Sequence, residues 1–367
     1  GATCRRRQAY TPSSITMSSR VAVVGCGRMG KLHARVLGEM PSAELACVVD
    51  ANPAAAGSLA KQRNCRALTD AAEAVGLVDA AIIAVPTVHH LAAARPFIAA
   101  GKPVLIEKPF TDDIAGGQEL LALAARTNTS VQVGHTERFN PAVIAMQKYA
   151  IRPKFIEAQR LSPFTFRSAD VGVVLDMMIH DLDLVLMMVG GAEVESLHAV
   201  GVNVIGSTED ICNARLIFDN GCVANVTASR LAIKTERRMR IFSEEAYLSV
   251  DYGKKVGVVI NKSQNLDLIQ MARELDVADL AELAQSVDYT KLLKVEQLVV
   301  DESIEPLRRQ AEAFRATVVD GQPPVVSAVD GLAAVRLAQR IVDQIKSYRW
   351  DGKASRRTGL GVISKDA

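Results

Sequence analysis

The sequence has few aromatic residues and little net charge. Phe, Trp and Tyr make up 4% of the 367 residues, with a single Trp, and the formal charge at pH 7 is +2. No basic surface interleaved with aromatic residues stands out, which argues against a nucleic-acid-binding protein. No run of 18 apolar residues is free of polar interruption, so no transmembrane helix is predicted. We therefore expect neither nucleic acid nor a membrane as a partner.

Closely spaced cysteine pairs are also missing. The six cysteines are scattered along the chain, and none of them forms a C-x-x-C pair. Structural zinc sites need thiolates or imidazoles in close pairs, so no bound metal is expected. A chain of this length can bury a large core without disulfides, and scattered cysteines are typical of reduced thiols. This pattern predicts a cytoplasmic protein.

The order of apolar segments predicts an N-terminal Rossmann domain. Residues 1–19 contain Arg, Ser and Thr but no acid, and we interpret them as a leader without function. Between residues 20 and 138, apolar strands alternate with helical stretches. This alternation predicts an α/β domain of βαβ units around a parallel sheet.

The pattern changes in the second half, residues 139–348. Six strand-like segments follow one another with short connections between residues 193 and 261, and Asp219-Asn220-Gly221 is a hairpin turn signal between two of them. An α+β domain with an open, mostly antiparallel sheet is therefore predicted. One face of such a sheet must be covered, so we expect a homodimer or homotetramer. Residues 349–367 are predicted to form a flexible tail.

The segment VAVVGCGRMG contains a nucleotide-binding pattern. Gly25, Gly27 and Gly30 have G-x-G-x-x-G spacing between a predicted strand and a predicted helix. These glycines permit a tight turn, backbone approach to a pyrophosphate and close helix packing, while the N–H groups of the helix face the phosphates. Asp50 follows the second predicted strand, 20 residues after Gly30. Its carboxylate can accept hydrogen bonds from an adenosine ribose and would repel a 2′-phosphate, which favours NAD as the cofactor.

Two alternatives to this interpretation stay open. The glycines could form an ordinary turn, with Asp50 as a helix N-cap. The basic side chains of Arg28 and Lys31 could also accommodate the additional phosphate of NADP.

Two further groups of polar residues predict a catalytic site. Glu107-Lys108-Pro109 follows the strand PVLI, and ligands of open α/β sheets bind at the carboxyl ends of the strands, so Lys108 is expected near the nicotinamide. Asp176 and His180 are four residues apart in LDMMIHDLD, on one face of a very apolar predicted helix. Bare polar groups are costly to bury, so this pair needs a cleft or partners. A structural Asp–His pair is the alternative.

The motifs VGCGRMG, Asp50, AVPTVHH, EKP and DxxxH, in this order and spacing, resemble the Gfo/Idh/MocA oxidoreductase family over about residues 20–348. The resemblance implies a Rossmann domain followed by an open, mostly antiparallel sheet, and activity on sugars, inositols or nucleotide sugars. It places the catalytic roles on Lys108, Asp176 and His180. The implied cofactor-binding residues are Gly25, Gly27, Arg28, Met29, Gly30, Asp50, Pro86, Thr87, His90, Glu107 and Lys108.

A mechanism follows from the charges of these groups. His180 can take the hydroxyl proton, Lys108 can stabilise the developing alkoxide, and Asp176 would orient His180 or hold a neighbouring hydroxyl. A non-catalytic NAD-sensing protein is an alternative from another class. Retention of Asp176 and His180 argues against the sensor, because cofactor binding alone needs neither residue.

Four segments carry a narrower resemblance, to the bacterial UDP-N-acetylglucosamine 3-dehydrogenases within this family. They are GHTERFNPAV (134–143), KFIEAQRLSPF (154–164), VLDMMIHDLDL (174–184) and FDNGCVANVTASR (218–230). The resemblance implies oxidation of a nucleotide sugar at C3. Guanidinium groups suit a diphosphate and an Asn amide suits a sugar, although each Arg could instead be a surface group. The implied substrate contacts are Lys108, Arg138, Asn140, Arg160, Arg167, Asp176 and His180. An inositol or free-sugar dehydrogenase of the same family is the alternative.

Overall fold

A computed structural model describes residues 18–165, 171–205, 207–262 and 294–348. Residues 1–17 of the predicted leader and the predicted tail from residue 349 lie outside the described residues. The predicted end of the leader at residue 19 is wrong, because Ser19 is buried and begins the first strand. The chain divides into two compact units. The first unit comprises the residues up to Glu107, Glu119–Gly134 and Leu307–Ser327, and the second comprises Lys108–Gln118, His135–Pro306 and the residues from Ala328. Among the described residues, no helix is long and apolar enough to cross a membrane.

A six-stranded sheet forms the centre of the first unit. Its strands are β1 (Ser19–Val24), β2 (Ala43–Val49), β3 (Arg66–Leu68), β4 (Ala80–Ile83), β5 (Val104–Glu107) and β6 (Val131–Gly134), in the order β3-β2-β1-β4-β5-β6. All neighbouring strands are parallel, which confirms the predicted Rossmann sheet. The strand order reverses between β1 and β4, the position at which open α/β sheets bind nucleotides.

Helices connect these strands. They are α1 (Arg28–Glu39), α2 (Pro53–Arg63), α3 (Ala71–Ala74), α4 (His90–Ala99) and α5 (Ile114–Thr127). The central strands are short aliphatic runs, and Val23, Ile82 and Leu105 are fully buried, as expected for parallel strands that are covered on both faces.

An eight-stranded sheet forms the centre of the second unit. Its strands are β7 (Phe155–Leu161), β8 (Val194–Val202), β9 (Ile211–Phe218), β10 (Val223–Ser229), β11 (Glu236–Phe242), β12 (Ala246–Asp251), β13 (Val256–Asn261) and β14 (Val295–Gln297). Their order is β14-β13-β12-β11-β7-β10-β9-β8. β7 and β10 pair in parallel and the other neighbours are antiparallel, so the predicted mostly antiparallel sheet is confirmed.

The predicted hairpin at Asp219-Asn220-Gly221 joins β9 to β10. Gly221 has φ of 82°, a conformation that glycine adopts without steric cost. The amide of Phe218 donates to the carbonyl of Cys222, and the amide of Cys222 donates to the Asn220 side chain. Side chains along β9 are alternately exposed and buried, so one sheet face belongs to the core and the other is open.

The helical part of the second unit contains α6 (Pro141–Met146), a π-helical turn (Val174–Met178), α7 (Ile179–Val189) and α9 (Ala328–Ser347). The sequence predicts one regular helix over residues 172–189. The structure differs, because Val174–Met178 form the π-helical turn and α7 begins only at Ile179. α9 packs against α7 and β8.

The division into units differs from the predicted boundary at residues 138 and 139. The first unit includes residues 307–327, which contain most of α8 (Pro306–Asp320). Leu307 packs against Val36 and Met40 of the first unit, and Phe314 joins the core beside the parallel sheet. The chain therefore returns to the first unit after it has completed the second sheet, and this return has no signal in local periodicity.

Candidate active site

A glycine loop in the first unit forms an open cradle at the start of α1. Gly25 has φ of 101°, and a Cβ atom there would lie 2.5 Å from the carbonyl oxygen of Ala84. A Cβ atom on Gly30 would overlap the carbonyl oxygen of Gly25, so both positions need glycine. Gly27, the N-cap residue, faces open space and no side chain caps the helix. The loop leaves helix N–H groups available to a phosphate, which fits a dinucleotide cofactor.

Asp50 lies directly beside this loop, where β2 ends. One carboxylate oxygen accepts a hydrogen bond from the amide of Cys26 at 2.7 Å, and the other accepts from the amide of Asn52 at 2.9 Å. These bonds hold the carboxylate in place, and each oxygen keeps a second lone pair for a ribose hydroxyl. Asp50 is therefore a positioned acceptor next to the phosphate cradle.

A basic cavity of about 530 Å³ adjoins the glycine loop. Its lining residues are Gly27, Arg28, Lys31, Leu32, Arg35, Gln62 and Arg63. Arg28 and Met29 are the first two residues of α1. The cavity contains no acidic lining residue, so it favours an anionic part of the cofactor.

The segment after β4 contains three further residues predicted to contact the cofactor. Pro86 precedes a short 3-10 helix, Thr87–His89, and His90 begins α4. The His90 ring is buried, and its Nε2 lies 3.1 Å from the carbonyl oxygen of Val85. The His90 ring therefore contacts the backbone of the segment after β4 through this nitrogen.

Glu107, the last residue of β5, contacts His33 of α1. The carboxylate oxygen of Glu107 lies 2.7 Å from Nε2 of His33, and both side chains are buried. A Cβ atom on Gly134 would lie 3.0 Å from the Glu107 Cα. This contact ties α1 to the strand end that precedes Lys108. Sequence reasoning missed His33, although its position three residues after Gly30 on the same helix is a usable signal.

In the second unit, the structure brings Lys108 and Asp176 together. The ammonium nitrogen of Lys108 lies 2.7 Å from the carbonyl oxygen of Asp176 and 3.5 Å from its Oδ1. Both side chains are partly exposed, at 21% and 35%. They remain accessible to a ligand while they hold each other in place.

His180 follows in the first turn of α7. Its ring is half-buried, and Nδ1 is buried without a hydrogen-bond partner among the described residues. Desolvation, followed by the charges of Lys108 and Arg160, holds the pKa of His180 well below its usual range. The imidazole is therefore neutral at physiological pH and can accept a proton.

The π-helical turn changes how Asp176 and His180 are related. The sequence places both residues on one face of a regular helix, whereas Asp176 lies inside the π-helical turn and His180 lies beyond it. Single π-helical turns are frequent at functional sites, because they alter which groups a helix presents. Neither composition nor periodicity in VLDMM signals this turn.

Arg138 and Asn140 have partners within the second unit. The Arg138 guanidinium donates two hydrogen bonds to Asp183, at 2.8 and 2.6 Å. The Asn140 side chain caps α6 through Ala142 and donates to the carbonyl of Tyr252. Both residues are at least nine-tenths buried. The described contacts therefore give these two residues structural partners in place of the predicted substrate.

Arg160 is also buried in ion pairs. Its guanidinium donates to both oxygens of Asp181, at 2.8 and 3.0 Å, and to Glu137 at 3.0 Å. Since its donors are directed at carboxylates, the described contacts offer no diphosphate interaction at Arg160. The signal for this cluster is the pair of acids in IHDLD, because buried acids require partners. Arg167, the other predicted contact, lies outside the described residues.

Comparison with known proteins identifies similar families and relatives. The oxidoreductase family with an NAD-binding Rossmann fold matches residues 19–135, and the GFO/IDH/MocA C-terminal domain matches residues 150–249. The chain is 38% identical to a UDP-N-acetylglucosamine 3-dehydrogenase of Acidithiobacillus ferrooxidans over 234 residues, which cover 64% of this chain and 74% of that protein. It is 27% identical to an inositol 2-dehydrogenase of Rhizobium meliloti over 347 residues, which cover 91% of this chain and 98% of that protein.

One solved structure is similar to this chain over most of its length. The crystallised UDP-N-acetylglucosamine 3-dehydrogenase from Acidithiobacillus ferrooxidans matches with a TM-score of 0.79 and 30% identity. The match covers 90% of this chain and 99% of that chain. The likeness therefore extends over both units.

Proposed function

The chain belongs to the Gfo/Idh/MocA oxidoreductase family, and we propose that it oxidises C3 of UDP-N-acetylglucosamine with NAD as the hydride acceptor. The family is NAD-binding, and its relatives are dehydrogenases that act on CH–OH groups. Which sugar or polyol is the substrate, and which carbon is oxidised, belong to the proposal.

One observation carries the catalytic proposal, namely the grouping of Lys108, Asp176 and His180 in the second unit. Lys108 contacts Asp176 directly, and its charge contributes to the low pKa of His180. A protein that only senses NAD needs the glycine loop of the first unit but none of these groups. The grouping therefore favours an enzyme over a sensor.

Each of these residues has a role in the proposed reaction. Neutral His180 accepts the hydroxyl proton as general base. The Lys108 ammonium donates a hydrogen bond to the same oxygen and stabilises the alkoxide that develops on it. The Asp176 carboxylate, which is more than one-third exposed, accepts a hydrogen bond from a neighbouring hydroxyl and orients the ring.

The first unit contains the residues that would bind the cofactor. Gly25, Gly27 and Gly30 leave space for the pyrophosphate, and Asp50 accepts hydrogen bonds from the ribose. When bound, NAD accepts the hydride that leaves the substrate carbon. The protein contributes binding, orientation and charge.

The nucleotide-sugar assignment is supported by the 38% identity and by one guanidinium group. Arg237 is 47% exposed and lies 3.5 Å from Glu137, beside the buried Arg160. Its charge is among those that lower the pKa of His180. We propose Arg237 as a contact for the diphosphate, because a partly exposed guanidinium retains donors that Arg138 and Arg160 direct at carboxylates.

The test is NADH formation from UDP-N-acetylglucosamine, measured by absorbance. An aminotransferase with glutamate removes the keto sugar and draws an unfavourable equilibrium forward. Arg237→Ala should raise the KM for the nucleotide sugar while the KM for NAD stays unchanged, and Arg238→Ala on the same strand is the matched control. Absence of NADH with this sugar, alongside turnover of another substrate, would overturn the assignment.

Oxidation of an inositol is the second candidate function. The similarity to the inositol 2-dehydrogenase covers 91% of this chain, although identity is lower, at 27%. Cyclitols carry no diphosphate, so Arg237→Ala would leave their turnover unchanged. Activity on myo-inositol that exceeds activity on UDP-N-acetylglucosamine would select this candidate.

We also propose that two copies of the chain associate through the open face of the eight-stranded sheet. Register places one row of apolar side chains across six strands: Ile217, Val223, Phe155, Phe242, Tyr247 and Ile260. The Phe155 and Phe242 ring centroids are 5.8 Å apart, and those of Phe242 and Tyr247 are 4.9 Å apart. Ile217 and Phe242 are exposed and the other four side chains are partly exposed. Six strands span roughly 24 Å at the usual spacing, which is wide for an apolar row that solvent reaches.

Analytical ultracentrifugation tests this association. Phe242→Arg places a charge in the middle of the row and should convert the oligomer to a smaller species. Lys254→Met, in the turn after β12 and 77% exposed, should leave the oligomer unchanged. A monomeric parent protein would refute the proposed interface.

A further inference from the structure

The helix that carries Asp176 and His180 begins against Glu209, the second residue before β9. The carbonyl oxygen of Glu209 accepts a hydrogen bond from the amide of Val173 at 3.1 Å, and its Oε1 accepts from the amide of Val174 at 3.2 Å. The first amides of a helix have no intrahelical acceptor, so one residue supplies two acceptors that this helix needs.

A buried ion pair holds the same helix start from another side. The Arg230 guanidinium donates to the carbonyl of Val171 at 2.7 Å and to Asp210 Oδ1 at 2.6 Å. The second oxygen of Asp210 accepts hydrogen bonds from the amides of Val204 and Ile205. Asp210 is thereby connected to Val204 and Ile205 and, through Arg230, to the segment that enters the helix.

Gly172 shows how closely this contact is packed. A Cβ atom built on Gly172 would overlap the Glu209 carboxyl group. The backbone of Gly172 does not lie in the left-handed region, so a side chain there is opposed by steric contact and not by backbone strain. Glycine at this position allows the carboxylate to reach the helix amides.

From these contacts we infer that Glu209 is a positioning residue for the dehydrogenase reaction. It fixes the start of the π-helical turn, and thereby the Asp176 carbonyl that holds the Lys108 ammonium. The path is short: Glu209 contacts Val174, two residues later comes Asp176, and the Asp176 carbonyl accepts from Lys108 at 2.7 Å. Glu209 acts through these groups and is not itself a catalytic residue.

The first test compares Glu209→Ala with Glu209→Gln in steady-state oxidation of UDP-N-acetylglucosamine, or of myo-inositol if that is the substrate turned over. Glu209→Ala should lower kcat by about 10- to 100-fold, since displacement of a catalytic group by about 1 Å costs up to that much. Its KM for NAD should be unchanged, because the glycine loop belongs to the first unit. Glu209→Gln keeps an oxygen acceptor for Val174 and should restore most of the rate.

The pH profile distinguishes positioning from simple stabilisation. If the turn shifts in Glu209→Ala, Lys108 moves and its charge lowers the pKa of His180 less, so the acid limb of kcat/KM should move to higher pH. A merely structural role would lower the melting temperature without moving this limb. Asp219→Ala is the matched control, because its carboxylate also accepts a backbone N–H, from Glu193, and its effect should stay within about threefold.

A double-mutant cycle tests the contact itself. Gly172→Ala should lower kcat by pushing the Glu209 carboxylate away from the helix. Since the clash is with that carboxylate, the effect of Gly172→Ala should be much smaller when Glu209→Ala is already present. Fully multiplicative effects of the two substitutions would contradict the inference.

The inference about Glu209 rests on the proposed roles of Lys108 and Asp176. Experiments can distinguish a failure of those roles from a failure of the inference alone. Parental turnover by Lys108→Met would overturn those roles and this inference together. An inactive Lys108→Met enzyme, with parental kcat and pH profile in Glu209→Ala, would overturn the inference alone.

Discussion

The ammonium nitrogen of Lys108 lies 2.7 Å from the carbonyl oxygen of Asp176, inside the π-helical turn. A neutral carbonyl orients the ammonium without cancelling its charge, while the Asp176 carboxylate stays at 3.5 Å. The cation therefore retains its positive charge to stabilise an alkoxide. This relationship links the residue after β5 to the helix that carries His180.

Substitution of either proposed catalytic group should abolish turnover without affecting cofactor binding. Lys108→Met removes the cation and His180→Ala removes the base, each of which contributes on the order of 10²–10⁴-fold to a rate. Binding of NAD, measured by fluorescence titration, should stay at the parental level because the glycine loop is intact.

Lys254→Met is a suitable control, since this lysine is 77% exposed and pairs with Asp251 outside the site. Its turnover should equal that of the parent enzyme. A rate within about threefold of the parent in Lys108→Met or His180→Ala would show that the assigned role is wrong.

The proton affinity of His180 should depend on Lys108. Desolvation is the largest cause of the low pKa of His180, and the Lys108 charge is the next. The neutral base therefore persists below pH 6.5, and kcat/KM should fall only in more acidic solution. Lys108→Met removes a positive charge that lowers the pKa of His180, so this pKa should rise toward its usual value.

NMR titration of the imidazole resonances measures this shift, with the His180→Ala spectrum used to assign the signal. The chain has six histidines, so the spectrum remains tractable. An unchanged or lower His180 pKa in Lys108→Met would contradict the proposed electrostatic coupling.

Local patterns were sufficient to predict the two sheets and the cofactor loop. Aliphatic strands separated by helices specify the parallel sheet of the first unit. Asp219-Asn220-Gly221 specifies a hairpin in the mostly antiparallel sheet of the second unit. The steric contact that requires glycine at position 30 is local, because it is with Gly25, whereas the contact at Gly25 is with Ala84 on the neighbouring strand end. The spacing of the glycines nevertheless indicated both positions. Features encoded within one strand–turn–helix unit are readable from the sequence.

Features that depend on distant partners were not readable in this way. Arg160 has the residue type of a diphosphate ligand, but Asp181 and Glu137 come close to it only after folding. The π-helical turn is held by Glu209, which is more than 30 residues away in the sequence. Residues 307–327 return to the first unit because their apolar side chains complete its core.

The charge of Asp50 should set the preference for NAD over NADP. Asp50→Asn keeps an oxygen acceptor for the Cys26 or Asn52 amide but loses the charge that repels a 2′-phosphate. Hydrogen bonds to charged groups are worth about 1.5–3 kcal/mol, so the ratio of NADP to NAD dissociation constants should narrow by about tenfold or more. Fluorescence titration with both cofactors measures this ratio.

Asp70→Asn is a control for this substitution, because Asp70 is an exposed helix N-cap elsewhere in the first unit. Its cofactor preference should equal that of the parent. Equal or tighter binding of NADP by the unmodified protein would refute the role of Asp50.

Arg160 should prove to be a stabilising residue. Its guanidinium is 5% exposed and pairs with Asp181 and Glu137, so Arg160→Met leaves buried Asp181 without its cation and Glu137 with only the more distant Arg237. Removing one partner of a buried ion pair typically costs about 3–5 kcal/mol, whereas an exposed pair contributes about 0–1 kcal/mol.

Arg240 pairs with Glu157 on the neighbouring strand and is 41% exposed, so Arg240→Met is the matched control. Denaturant unfolding should therefore show a large loss of stability for Arg160→Met and little change for Arg240→Met. The contrary result, an Arg160→Met protein of parental stability with a raised KM for the nucleotide sugar, would return Arg160 to the substrate site.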